Sequence, residues 1–112
     1  MHKIETLVMA ADSAITSDYI RFQEYNKGMI HMPSAWTTAD IAFAVCHESN
    51  GTYLPLHDSS GLVTIAVAAS QSYNLPDALK GCGYFKIKSV DTGDASDEAQ
   101  AAQRLIKVEC KS

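Results

Sequence analysis

Hydrophobic and polar residues alternate along most of this chain, and the period is two. In Ile41–His47 the side chains of Ile41, Phe43, Val45 and His47 fall on one face and the small ones of Ala42, Ala44 and Cys46 on the other, because successive residues of a strand point to opposite faces. Gly83–Val90 repeats the pattern, with Phe85 and Ile87 inward and Tyr84, Lys86 and Lys88 outward. So does Ala101–Cys110, with Ile106 and Val108 on one face and Leu105, Lys107 and Glu109 on the other. Ile4–Met9 predicts a first strand, and Tyr19–Tyr25 a second whose core face carries Ile20 and Phe22. Asn26-Lys27-Gly28 is a tight-turn signal, so Gly28–His31 is expected to pair antiparallel with that second strand.

Further along, Asn50-Gly51 predicts a two-residue hairpin that returns Thr52–His57 onto the central strand. Asn50-Gly51-Thr52 also spells a glycosylation acceptor, and the turn is the reading taken here. Leu62–Ala69 has the densest β-branched run and is expected to be a buried interior strand. Ser70–Leu75 reads as a short edge strand, and Pro76–Gly81 as one helical turn ended by its glycine. Pro33 lacks a backbone donor, so the strand before it stops there and Trp36 lies at a corner, where an indole plugs one end of a core.

About eight short strands with turn residues between them predict an all-β fold, an antiparallel two-sheet β-sandwich of jelly-roll type. Its core is expected to include Phe22, Ile41, Phe43, Val45, Val63, Ile65, Val67, Phe85, Ile87, Ile106 and Val108. Residues 18–112 form the sandwich, and residues 1–17 a strand that either reaches a neighbouring molecule as an arm or closes an edge of its own sheet.

Composition narrows the role more than the shape. With 112 residues, 46% hydrophobic and 20% charged, the chain can bury a core without staples. A net charge of −4, with scattered basic residues, argues against a nucleic-acid partner. No segment reaches the ~20 apolar residues of a membrane span, and no secretory leader is visible, so a soluble protein is expected. Cys46, Cys82 and Cys110 lack the spacing of a zinc site or a disulfide framework and read as buried free thiols. His2, His31, His47 and His57 have no partner at ligand spacing on their own elements. Asp91, Asp94, Asp97 and Glu98 lack the alternation of a calcium loop, and His57-Asp58-Ser59-Ser60 has no nucleophile-elbow context. Neither an enzyme nor a cofactor or metal is therefore expected.

Several strings occur together in order: Met32-Pro33-Ser34-Ala35-Trp36-Thr37, Ile41-x-Phe43-x-Val45, Asn50-Gly51, and Tyr53-Leu54-Pro55-Leu56-His57-Asp58-x-x-Gly61. They are followed by Leu75-Pro76-Asp77-Ala78-Leu79, Gly83-Tyr84-Phe85-Lys86-Ile87-Lys88-Ser89 and Gln100-Ala101-Ala102-x-Arg104. Together they resemble small virion proteins of tailed bacteriophages, and at the level of fold they are similar to galactose-binding-like jelly rolls. The first resemblance implies a structural component of a virion assembled in the host cytoplasm: a capsid decoration or cement protein, or a module of the neck or tail. Its partners would be capsid, neck or tail proteins, bound as a homo-oligomer or on a lattice. A carbohydrate-binding or receptor-binding module is the alternative. Contacts are expected through Ile4, Leu7, Val8, Tyr25, Tyr53, Tyr73 and Tyr84.

Overall fold

The computed structural model describes residues 2–112. Eleven strands follow one another: β1 (His2–Met9), β2 (Ile20–Arg21), β3 (Lys27–His31), β4 (Asp40–Cys46), β5 (Leu54–Pro55), β6 (His57–Asp58), β7 (Gly61–Leu62), β8 (Thr64–Ala66), β9 (Ser72–Asn74), β10 (Tyr84–Val90) and β11 (Arg104–Lys111). Asp77–Leu79 forms the single helical turn, of 3-10 type, and Gly81 follows it at φ 93°. Sheet 1 runs β1-β11-β3-β9, and sheet 2 runs β2-β10-β4-β5 with β8 also paired to β4. The broken stretch β5–β8 occupies one strand position. Counted so, the eight positions order as 1-8-3-6 against 2-7-4-5, and the chain crosses between sheets at nearly every step. That is the jelly-roll arrangement of two antiparallel sheets.

The expected all-β, antiparallel sandwich is therefore the fold. The longest alternating runs supply its spine, since β10 pairs β4 from Tyr84↔Cys46 to Val90↔Asp40 and β11 pairs β1 from His2↔Lys111 to Met9↔Arg104. Between the sheets lie Ile41, Phe43, Phe85, Ile87, Ile106 and Val108, each fully buried, with Phe22 and Val63 nearly so. Val45, Ile65 and Val67 are partly buried and packed against this cluster. Leu7, Met9, Ile30, Leu75, Leu79 and Cys110 join it as well.

Four local expectations are corrected. β3 does not pair with the segment before it but with β11 and β9, while β2 pairs with β10. A jelly roll sends consecutive strands to opposite sheets, so alternation cannot reveal the neighbour. Tyr19–Tyr25 shrinks to the two residues of β2, because the chain turns where Tyr25 N–H donates to Phe22 O. Asn50-Gly51 is not a hairpin of positive φ angles, since neither residue takes one. Gly51 is needed instead for close approach: a Cβ there would lie 2.6 Å from Cys46 Sγ. Finally, Leu62–Ala69 is a broken edge segment, with Thr64 and Ala66 exposed on β8. Of its β-branched residues Val63 is buried, whereas Ile65 and Val67 are only partly buried against the core.

The loops at one end converge on Gln100, a fully buried polar side chain. Its Oε1 accepts from Thr37 N–H at 2.8 Å and Arg104 Nε at 3.0 Å, and its Nε2 donates to Ser89 Oγ at 2.8 Å and Thr37 O at 3.2 Å. Its backbone accepts from Asp12 N–H and donates to Ser13 O. Three loops thus meet at one residue, and the interior placement of its side chain is tolerable because each amide atom is paired. Gln100→Leu keeps the bulk but strands the Thr37 N–H and the Arg104 Nε, so it is expected to cost about 2–4 kcal/mol. Urea unfolding of the variant measures this, and an unchanged midpoint would show the node to be dispensable.

Candidate interaction surface

Sheet 2 turns its small side chains outward along β4 and its long ones outward along β10. Tyr84 therefore stands opposite Cys46, Lys86 opposite Ala44 and Lys88 opposite Ala42. The low floor on β4 makes room for Tyr53, which arrives from the 47–53 loop and lies under the Lys86 ammonium, 4.8 Å from its ring centre. Tyr53 Oη donates to Ser49 O at 2.9 Å, which ties the loop down. Beside it, Tyr19 meets Tyr84 edge to face with centroids 5.3 Å apart. Leu54, opposite Val45, points to the other face of sheet 2, 62% exposed at the rim of a separate open groove of about 560 Å³ between the 46–54 loop and Gly81–Gly83. Rigid aromatic area with polar tips and a cation make a patch suited to a protein partner.

Burial pushes the Tyr53 phenol up to about 12, with smaller contributions from Cys46, Tyr19, Tyr84 and Asp18. A phenol raised in the folded state contributes stability that is complete below the unfolded value of about 10 and is lost as pH climbs through about 12. An absorbance titration of phenolate formation is accordingly expected to show a component of one phenol that ionises only as pH approaches about 12. The absence of any component that titrates near 12 would contradict this packing. Burial likewise raises the Cys82 and Cys110 thiols to about 11 each, which leaves them poor nucleophiles at neutral pH.

The residues expected to make contacts divide among three places. Tyr53 and Tyr84 share the face just described, together with Tyr19, whose proximity to Tyr84 no sequence spacing could reveal. Tyr25 is half-buried, stacked on Phe22 at 6.2 Å with Lys3 over its other side at 5.2 Å. Tyr73 is half-buried, and its Oη accepts from Ala68 N–H at 2.9 Å. Ile4 and Val8 stand on the outer face of sheet 1, Ile4 being 59% exposed, whereas Leu7 points inward and is a core residue, so its expected role as a contact is corrected. Trp36 is half-buried against the core at its corner, and its indole N–H donates to Ala39 O at 3.2 Å.

On that outer face of sheet 1, Glu109 bridges two histidines from other strands: Oε2 lies 2.8 Å from His2 Nε2, and Oε1 lies 3.3 Å from His31 Nε2. His31 Nδ1 continues to Ser72 Oγ at 2.7 Å, which ties all four strands together. Hydrogen bonds from His2 and then His31 hold the Glu109 carboxyl below the ordinary range. Among the described residues, no group of three His, Cys, Asp or Glu converges as metal ligands do, and no helix is long and apolar enough to cross a membrane.

No family model matches the chain, and no curated protein matches it in sequence. Among solved structures, a chain from Bacillus endospore appendages, described as disulfide-linked pili, aligns over 99% of this chain and 87% of its own, with 12% identity and a TM-score of 0.39, too distant for any conclusion. The SPBc2 prophage-derived protein YomS aligns over 100% of this chain and 96% of its own, with 12% identity and a TM-score of 0.60, so the two share a fold from end to end.

Proposed function

We propose that this protein is a structural component of a tailed-phage virion, specifically a non-catalytic decoration or cement protein seated on the capsid lattice. The observation that carries the reading is the end-to-end likeness to a prophage-derived protein of nearly equal length. That likeness is one of fold, and fold alone does not bring function with it. The surface supplies the rest: the Tyr19–Tyr53–Tyr84 face with Lys86 offers one modest contact per copy. Modest contacts hold firmly when many copies engage a repeating lattice. The net charge of −4 keeps the unassembled pool soluble.

Mass spectrometry of purified particles from a phage that encodes the protein is expected to find it in many copies. Added back to particles that lack it, the wild-type protein should bind and the Tyr84→Ala variant should bind more weakly. Absence from particles, together with binding to a glycan array, would favour the carbohydrate-binding alternative instead. That alternative asks for a free aromatic platform, and one face of Tyr53 already carries Lys86.

A further inference from the structure

β1 is an edge strand of eight residues, and the pattern of its backbone groups is fixed from two directions. From the far side, Met32 N–H donates to Gln71 O and Leu75 N–H to Gly28 O, so the even residues of β3 face β9 and the odd ones face β11. In the β11–β3 register the odd residues of β11 then face β3, which leaves Ile106, Val108 and Cys110 to bond Leu7, Glu5 and Lys3 of β1. From the near side, Val8 O accepts from Ser17 N–H at 3.0 Å, so Val8 faces away from β11. Both routes agree: the backbone groups of His2, Ile4 and Thr6 point off the sheet edge. Those three residues are exposed, and no loop among the described residues donates to or accepts from their backbone there.

The geometry points to a second copy of this chain as the occupant of that edge, with β1 pairing antiparallel to β1 about a two-fold axis at Ile4. In this register Ile4 faces Ile4 of the second copy, His2 faces Thr6, and each such pair exchanges two backbone hydrogen bonds. The side chains select the register. Lys3 comes opposite Glu5 of the second copy, and Glu5 opposite its Lys3. Sliding by two residues either way sets Lys3 on Lys3 or Glu5 on Glu5, and sliding by one places inner side chains against outer ones. Within one copy Lys3 Nζ and Glu5 Oε2 already lie 3.6 Å apart on the same side of the strand, so the four charges would form an alternating set at the dyad. Inward-side charges on an edge strand ordinarily repel chance pairing. Here they complement one self-pairing. Ile4, 59% exposed in the single copy, becomes covered by its symmetry mate. The two four-stranded sheets would join into one continuous sheet, leaving the tyrosine face of sheet 2 free for another partner.

Charge-matched variants test the dyad and the register separately. By sedimentation equilibrium the wild type is expected to be a dimer. Ile4→Lys and Ile4→Glu, each at an exposed position, should weaken it on the order of tenfold or more alone and restore it when mixed. Lys3→Glu and Glu5→Lys should behave the same way, because only the mixture places opposite charges across the axis. Circular dichroism confirms that each variant is folded, and the Ile4 pair decides the matter should Lys3→Glu unfold. A wild type that stays monomeric, mixtures that do not re-form the dimer, or a larger assembly indifferent to Ile4→Lys would each overturn the proposal.

Discussion

Removal of residues 1–17 is expected to leave a chain that cannot fold. β1 supplies Leu7 and Met9, which are 1% and 0% exposed, and the loop after it supplies Thr16, whose Oγ1 accepts from Ile87 N–H at 3.2 Å. Truncating one buried leucine or methionine costs about 2–5 kcal/mol, and the deletion takes both while exposing the edge of β11. A small domain has only about 5–15 kcal/mol to lose. Far- and near-ultraviolet circular dichroism of the truncated chain should show neither native strand signal nor a cooperative melt. If it melted like the full-length protein, residues 1–17 would be an accessory arm and the pairing of β1 with β11 would be incidental.

The second large effect is expected at Phe85. Its ring is the middle of three, meeting Phe22 at 5.5 Å and Phe43 at 5.8 Å, both at an interplanar angle of 77°. Replacing it with alanine removes one large side chain and two edge-to-face contacts from a site with no exposure, at a cost of about 3–5 kcal/mol. Leu105→Ala, on a residue that is 50% exposed, should cost less than about 1 kcal/mol. Denaturant midpoints compare the two directly. Similar losses would mean that the sheets do not pack through the phenylalanines.

The contrast between these positions also shows what the sequence could convey. Phe85, Phe43 and Ile106 sit in long period-two runs, so their inward direction was legible, and with it the sandwich. Leu7 lies in a run where Leu7, Val8 and Met9 are all apolar, and alternation cannot say which face is the core. The partner of β3 was equally hidden, because pairing across a jelly roll depends on residues some eighty positions away. Gln100 looked like part of a polar loop, since a buried amide leaves no hydrophobic signal. Of the interaction face, Tyr53 and Tyr84 could be picked out as aromatics on outward strand positions. Their meeting with Lys86 and Tyr19 needed the crossing of distant segments, and the room for Tyr53 came from the small residues Ala44 and Cys46.

The pairing of β1 with β11 has a consequence for how the protein comes to exist. These strands pair His2 with Lys111, and β11 is also the neighbour of β3, so sheet 1 has no centre until residues 104–111 have left the ribosome. Until then β1 and β3 have no shared template, and Leu7, Met9 and Ile30 remain open to water or to other nascent chains. Contacts of such long sequence separation close slowly, on a scale of about milliseconds to seconds, because the chain must be ordered before the pairing rewards it. Folding is thus deferred until β11 has emerged, and a high local concentration of nascent chains would put aggregation in competition with it.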